Sequence, residues 1–193
     1  TGTVNGSLYG GGLGDAGHAA LVNGNVQVTV DGGSIGGDVY GCNNVNGAPQ
    51  GTVTVDINAT DTPQSGYAIT KVFGGGNQAA YIGTPVVRIH DCDNKIHYVY
   101  GGGNQASVTG TNVTVYGGSD IGYVFGGGYG ADVTHDGTQV NIYGGNIGYL
   151  FGGNDHSGTV NGDINVEIQE QAEANHQLCA LTIGQVYGGG QLA

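Results

Sequence analysis

The chain has almost no positive charge: 3 Lys plus Arg stand against 15 Asp plus Glu, for a formal net charge of -12 over 193 residues. Nucleic acid and anionic membranes are held through clustered Lys and Arg, so neither is expected as a partner. No apolar run approaches the roughly 20 residues of a membrane-spanning helix, so membrane insertion is not expected either. Met and Trp are absent, and Pro occurs 3 times. The lack of an initiator Met and of a signal-like start fits a processed or excised segment of a secreted protein. Cysteine is scarce as well. Cys42, Cys92 and Cys179 are an odd number in unrelated contexts, which does not describe a disulfide scaffold.

What the chain has instead is glycine, 43 residues of it. Collagen's third-residue period is missing, and regular Val, Ile and Tyr between the glycines argue against disorder. The glycines cluster behind an aromatic residue in seven near copies of one motif, of which Val99-Tyr100-Gly101-Gly102-Gly103 is typical. The aromatics are Tyr9, Tyr40, Phe73, Tyr100, Phe125, Phe151 and Tyr187, spaced by 25 to 36 residues. A period of that size means stacked units, each burying its apolar face against its neighbours.

The shortest copy shows the unit without insertions. It holds three extended pieces, Ala106 to Val108, Asn112 to Tyr116 and Ile121 to Phe125, separated by Gly-bearing turns. This predicts an all-β fold, a parallel β-helix (β-solenoid) of about seven coils with three short strands per coil. Columns that hold only aliphatics point inward. They are Ile35, Ile69, Ile96, Ile121, Ile147 and Ile183; then Val22, Ile82, Val108, Val133 and Val160; then the Val or Leu before each aromatic. Two more come from the pairs Val28/Val30, Val53/Val55, Val87/Ile89, Val113/Val115, Val140/Ile142 and Ile164/Val166. The residues between those pairs, Thr29, Thr54, Arg88, Thr114, Asn141 and Asn165, read as an outward ladder.

The first residue after each aromatic is always Gly, so Gly74, Gly101, Gly126, Gly152 and Gly188 are expected to be structural turns. The third admits Asn43 and Asn154, and Gly or Asn at one site suggests a left-handed backbone. Gly alone at the first site implies either a torsion closed to Asn or no room for a Cβ. Insertions fall near 58–65, 90–95 and 169–178 of one solenoid domain spanning 1–193. The last, around Gln169 to His176, has the best helix propensity in the chain and predicts a short helical turn. Loops added to one edge of a solenoid are the usual place for a binding site.

These residues resemble the Gly-rich repeats of bacterial surface and secreted proteins that form right-handed parallel β-helices, the pectate-lyase-like superfamily in the broad sense. The resemblance covers essentially the whole chain and rests on the repeat pattern. It implies a right-handed coil and a menu of roles: adhesin, stalk or polysaccharide-cleaving enzyme. Fold alone does not choose among them.

Enzymes of that kind need acidic residues binding Ca²⁺ beside an Arg or Lys that takes a proton from the sugar. Lys71, Arg88 and Lys95 fall in or beside one coil, near His90, Asp91, Asp93 and His97, so the materials assemble there. The plainer reading is that corner loops collect polar residues because they are solvated. Asp163 and Glu167 could share an outward face, as a pair of carboxylates flanking a cleft would need. Asp91-Cys92-Asp93-Asn94 and Gly11-Gly12-Leu13-Gly14-Asp15 resemble fragments of Ca²⁺ motifs but lack their remaining ligands. No catalytic residue, metal ligand or cofactor is therefore assigned. Cys92 and Cys179 lie three coils apart at ~4.8 Å per coil, too far to join, so free thiols are expected.

Tyr98/Tyr100, Tyr123/Phe125 and Tyr149/Phe151 place two rings two residues apart, on one side of an extended strand. That reads as an outward double stripe, a platform for glycan or another protein; a bend at the first Gly would instead bury the rings as a stack. The leading functional reading is a non-enzymatic structural or adhesive segment, extracellular or on a cell surface. Its partners would be itself, stacked end to end into a filament, or other coils of a longer parent chain. A carbohydrate-active β-helix, as lyase or binding module, is the alternative. Ice binding through the Thr ladder is the third.

Overall fold

A motif that recurs once per coil brings each strand beside its own equivalent, so the strand pairings among the described residues are parallel and nearly every column holds like residues. The computed structural model describes residues 2–193 and has no helix among them. The first coil contributes β1 (Thr3–Val4), β2 (Leu8–Tyr9) and β3 (Val26–Asp31); the second contributes β4 (Ser34–Ile35), β5 (Val39–Tyr40) and β6 (Val53–Ala59). The third holds β7 (Ile69–Phe73) and β8 (Val86–Ile89), and the fourth β9 (Lys95–Tyr100) and β10 (Val108–Val115). The fifth holds β11 (Asp120–Phe125) and β12 (Val133–Ile142), the sixth β13 (Gly145–Phe151) and β14 (Ile164–Ile168), and β15 (Leu181–Tyr187) opens a further rung.

Two sheets result. The first runs β1-β4-β7-β9-β11-β13-β15, with β2 and β5 joining its side, and the second runs β14-β12-β10-β8-β6-β3. The fold is thus a parallel β-solenoid of about six turns. The seven aromatic rungs bound six intervals, which corrects the count of about seven coils. The expected third strand is reduced to isolated parallel bridges, Val22 to Pro49, Tyr81 to Val108 and Val133 to Val160. Along β10 and β12 that face merges into the second sheet.

The isoleucine column is in register from Ile35 through Ile69, Ile96, Ile121 and Ile147 to Ile183, with Val4 beneath it. Ile69, Ile96 and Ile121 are fully buried, each worth about 1.5–3 kcal/mol of transfer free energy. Two columns differ from the sequence reading. Tyr81, not Ile82, takes the core slot beside Val108, and Ile82 is 94% exposed. A one-residue shift turns a strand over, and the tyrosine tolerates burial because its hydroxyl donates to the Gly51 carbonyl at 2.8 Å.

In the second sheet the inward pairs are Val28/Val30, Val55/Ile57, Val87/Ile89, Val113/Val115, Val140/Ile142 and Val166/Ile168. The second-coil pair therefore sits two residues further along than Val53/Val55 implied, and the last likewise relative to Ile164/Val166. The outward row becomes Thr29, Asp56, Arg88, Thr114, Asn141 and Glu167. Thr54 and Asn165 belong to the neighbouring row, so Thr29, Thr54 and Thr114 do not share one column.

The glycines are selected by space. A Cβ on Gly10, Gly41, Gly74, Gly101, Gly126 or Gly152 would lie closer than 3.0 Å to the carbonyl oxygen of the equivalent glycine one coil on. None of these six has positive φ, and neither Asn43 nor Asn154 does, so the left-handed reading of the triplet is corrected. Left-handed backbone occurs elsewhere, as at Gly47 and at Asn175. The segment Gln169 to His176 forms no helix; its single turn is closed by the His176 N–H donating to the Glu173 carbonyl at 3.0 Å.

Gly126→Val is expected to cost about 1–3 kcal/mol by overpacking against backbone that cannot move aside. Gly188→Val, where a Cβ meets nothing within 4 Å, should leave the melting temperature nearly unchanged. Thermal melts of the two variants check the contrast, and equal shifts would refute a steric origin.

Candidate functional site

The aromatic columns split into two ladders. Tyr9, Tyr40, Phe73, Tyr100, Phe125, Phe151 and Tyr187 stack face to face with centroids 4.6–5.1 Å apart. The five middle rings are at most 5% exposed, so Tyr100, Phe125 and Phe151 do not belong to an outward stripe. The chain bends at the first glycine and folds its next residues across them, where Asn77 Nδ2 donates to Asn44 Oδ1 at 2.8 Å and Asn104 Nδ2 to Asn77 Oδ1 at 2.7 Å. Tyr100 Oη donates to the Asp155 carboxylate at 2.8 Å. Burial, then that carboxylate, pushes the Tyr100 phenol far above its ordinary value.

Tyr98, Tyr123 and Tyr149 form the second, half-exposed ladder, with centroids 4.9 Å apart and planes within 13°. In-register stacking turns these ring faces toward one another along the solenoid axis. The surface they offer is ring edges and hydroxyls, whereas a sugar stacks on a face.

The residues marked for catalysis are drawn apart. Arg88 lies on the second sheet, its Nε 3.6 Å from the Asp56 carboxylate. Lys71, on the first sheet, stands 5.3 Å over the Tyr129 ring, and Lys95 Nζ donates to the Pro63 carbonyl at 2.7 Å. His97 stacks on Tyr67 with centroids 4.4 Å apart, and burial lowers its pKa. The Asp91 and Asp15 carboxylates accept backbone N–H bonds from their own turns, at Asp93 and Gly17. Among the described residues no three His, Cys, Asp or Glu side chains are grouped to hold a metal.

His90 is used for assembly. Its Nδ1 is 2.8 Å from Glu173 Oε2 and its Nε2 is 3.4 Å from Asp56, and Glu173 also lies 3.1 Å from His176 Nδ1. Glu173 belongs to the largest insertion, which does not stay in its own coil. It runs back along the axis as a strap, its Gln171 N–H donating to the Tyr143 carbonyl at 2.9 Å. At its far end Cys179 is bonded to Cys92, Cα atoms 5.3 Å apart. The expectation of free thiols there is overturned: the coils are as far apart as reckoned, but a long insertion spans the gap. Cys42 alone is free and buried.

The face above β14 and β15 is open. The columns beneath it are closed, with Thr138, Val140 and Ile142 at 0–2% exposure, whereas Ile164, Ile168, Val186 and Tyr187 are 38–46% exposed. A Cβ built on Gly188 has nothing within 4 Å, unlike its equivalents in the six coils below; Gly189 is equally open, though its equivalent in one coil is Cys42. A cleft of about 310 Å³ lies here, lined by Asn154, Val160, Ile164, Gly189 and Gly190 among others.

Cys92→Ser should destabilise by about 2–5 kcal/mol, since the bond closes a long loop across the coils, seen as an earlier urea midpoint. Alkali should act through other groups. Burial pushes the Cys42 thiol up to about 12 from an ordinary 9.0, and burial raises Tyr40 and Tyr100 as well. Groups raised on folding contribute stability that is full below their unfolded values and lost as pH rises toward the folded ones. Urea midpoints are therefore expected to fall from about pH 9 upward, and to fall less in Cys42→Ala. No family model matches the chain, and no curated protein and no solved structure does.

Proposed function

We propose that the chain is a non-enzymatic structural or adhesive segment of a secreted or cell-surface protein, a rigid solenoid that works by stacking further parallel coils on its open face. The observation that carries this reading is Gly188 at that face. In six coils the first glycine is required by the carbonyl of the coil above; Gly188 keeps the same residue where nothing yet presses on it. It is a seat shaped for a coil. Val186 and Tyr187 continue the inward and aromatic columns, so an added coil buries apolar area at every column.

The Cys92–Cys179 disulfide supports an oxidising compartment, as secreted and surface proteins occupy. Stacking of a second copy is constrained by the strand count. The first sheet reaches one rung beyond the second, so a copy set with β1 and β2 on β15 leaves the place above β14 empty. A coil that supplies a second-sheet strand first, and a first-sheet strand after it, fits both.

Replacing residues 191–193 with a second copy of residues 129–153 supplies such a coil, because Gly190 and Gly128 hold equivalent positions. The graft is expected to raise the melting temperature by about 5 °C, since each repeat interface adds to stability. An unchanged or lower melting temperature, measured by calorimetry, would overturn the reading.

A further inference from the structure

The far anchor of the strap is open to chemistry from outside. We infer that the Cys92–Cys179 bond is a thiol-exchange site, attacked at Cys92 Sγ by a small external thiol, and that its reduction frees the strap. Nothing in this depends on what stacks above β14 and β15. A cavity of about 340 Å³ separates the strap from the corner between β8 and β9, lined by His90, Asp91 and Cys92 on one side and by His176, Gln177 and Cys179 on the other. It reaches solvent, since Asp91, His176 and Gln177 are exposed. The two sulfurs face it unequally. Cys92 is half-buried, whereas Cys179 is 7% exposed and backed by Gly117, where a Cβ would meet the Cys179 Sγ at 2.6 Å. A nucleophile entering the cavity therefore reaches Cys92, and Cys179 is the leaving group.

The exchange balances in two steps. The thiolate forms a bond to Cys92 Sγ as the Cys92–Cys179 bond breaks; the electron pair of that bond leaves with Cys179 Sγ, which then takes a proton. Where the attacker is a dithiol, its second thiolate displaces Cys92 Sγ from the mixed disulfide. The dithiol ends oxidised and both cysteines end as thiols, two electrons and two protons having passed to the protein. Gln177 Nε2, 3.3 Å from Cys92 Sγ, is placed to donate to the thiolate released in that second step. The surroundings select among thiols by charge. Asp91 lies in the wall, and Glu173 and Asp56 flank His90, 2.8 and 3.4 Å from its ring nitrogens. An anionic thiol is repelled there, whereas a neutral or cationic one is admitted.

The rest of the strap is lightly held, so the bond decides where it lies. Between Gln171 and Cys179 it joins no sheet, and apart from its contacts at Cys92 it is held to the coils by the Gln171 bond to Tyr143 and the Glu173 pair with His90. β15 keeps its own ladder on β13, in register from Leu181 to Tyr187. Reduction therefore loosens the strap and leaves the rungs on either side paired, a local opening of the kind that low contact density permits.

Two experiments on the intact, oxidised chain test this. In the first, the folded chain is pulsed with cysteamine or with mercaptoethanesulfonate, quenched in acid and mapped by mass spectrometry. The mixed disulfide is expected on Cys92. Cysteamine is expected to react ~5-fold faster than mercaptoethanesulfonate once each rate is divided by its rate on the chain unfolded in urea. An adduct on Cys179, no preference between the two thiols, or a folded chain that resists both while the unfolded chain reacts would overturn the inference. In the second, amide exchange is compared before and after reduction by dithiothreitol. The Gln171 and His176 amides should exchange at least ~10-fold faster on reduction, while Ile147 to Phe151 and Ile183 to Tyr187 keep their protection. Glu173→Gln should speed strap exchange a further ~5-fold in the reduced chain and change it little in the oxidised one. Unchanged exchange in the strap, or protection lost along β13 and β15 as well, would show a plain structural cross-link and overturn the release.

Discussion

Everything in this solenoid depends on how closely one coil can approach the next at the corner behind each aromatic ring. At six rungs the carbonyl oxygen of one corner occupies the space where a side chain of the corner below would start. Only glycine permits that contact, and the contact lets the backbone turn sharply while the Gly41 N–H still reaches the Phe73 carbonyl at 2.9 Å. The coil spacing is then set by the sheet ladders alone, at the ~4.8 Å of ordinary strand pairing.

The aromatic ladder follows from that corner. Because the chain doubles back at once, the rings are covered by the next residues, and their stacking distance is the coil spacing. The amide ladder through Asn44, Asn77 and Asn104 runs alongside for the same reason, each side chain meeting its equivalent one coil away. Polar groups in the interior obey the same bookkeeping: Thr111 and Thr138 donate to the Gly126 and Gly152 carbonyls, each at 2.6 Å. A buried hydroxyl so paired avoids the desolvation cost of an unmade bond.

The strap departs from coil-by-coil construction over a longer reach than the Tyr100 bond to Asp155, which skips one rung. Its contacts to His90 and Cys92 tie the later coils to the corner between β8 and β9, which a nearest-neighbour stack cannot do. The open face is the other consequence of one-dimensional architecture. Each coil completes the one beneath it, and the columns at β14 and β15 are accordingly more exposed than the same columns at β12 and β13.

The sequence by itself determined the architecture. Six isoleucines at equivalent positions, an invariant glycine behind seven aromatics and alternating valines leave parallel stacking as the solution, because inward-pointing columns must hold like residues. It also posed the right question at the first glycine, where no room for a Cβ was one of two answers. Tertiary structure decided the rest. Whether Tyr81 or Ile82 points in, and whether Val53 or Val55 pairs with Val28, turns on shifts of one or two residues that a repeat of uneven length does not fix. Whether Tyr100 is covered depends on the path of the residues after it. The Cys92–Cys179 bond depends on an insertion folding back across coils, a long-range contact that carries no period and leaves no mark on the repeat.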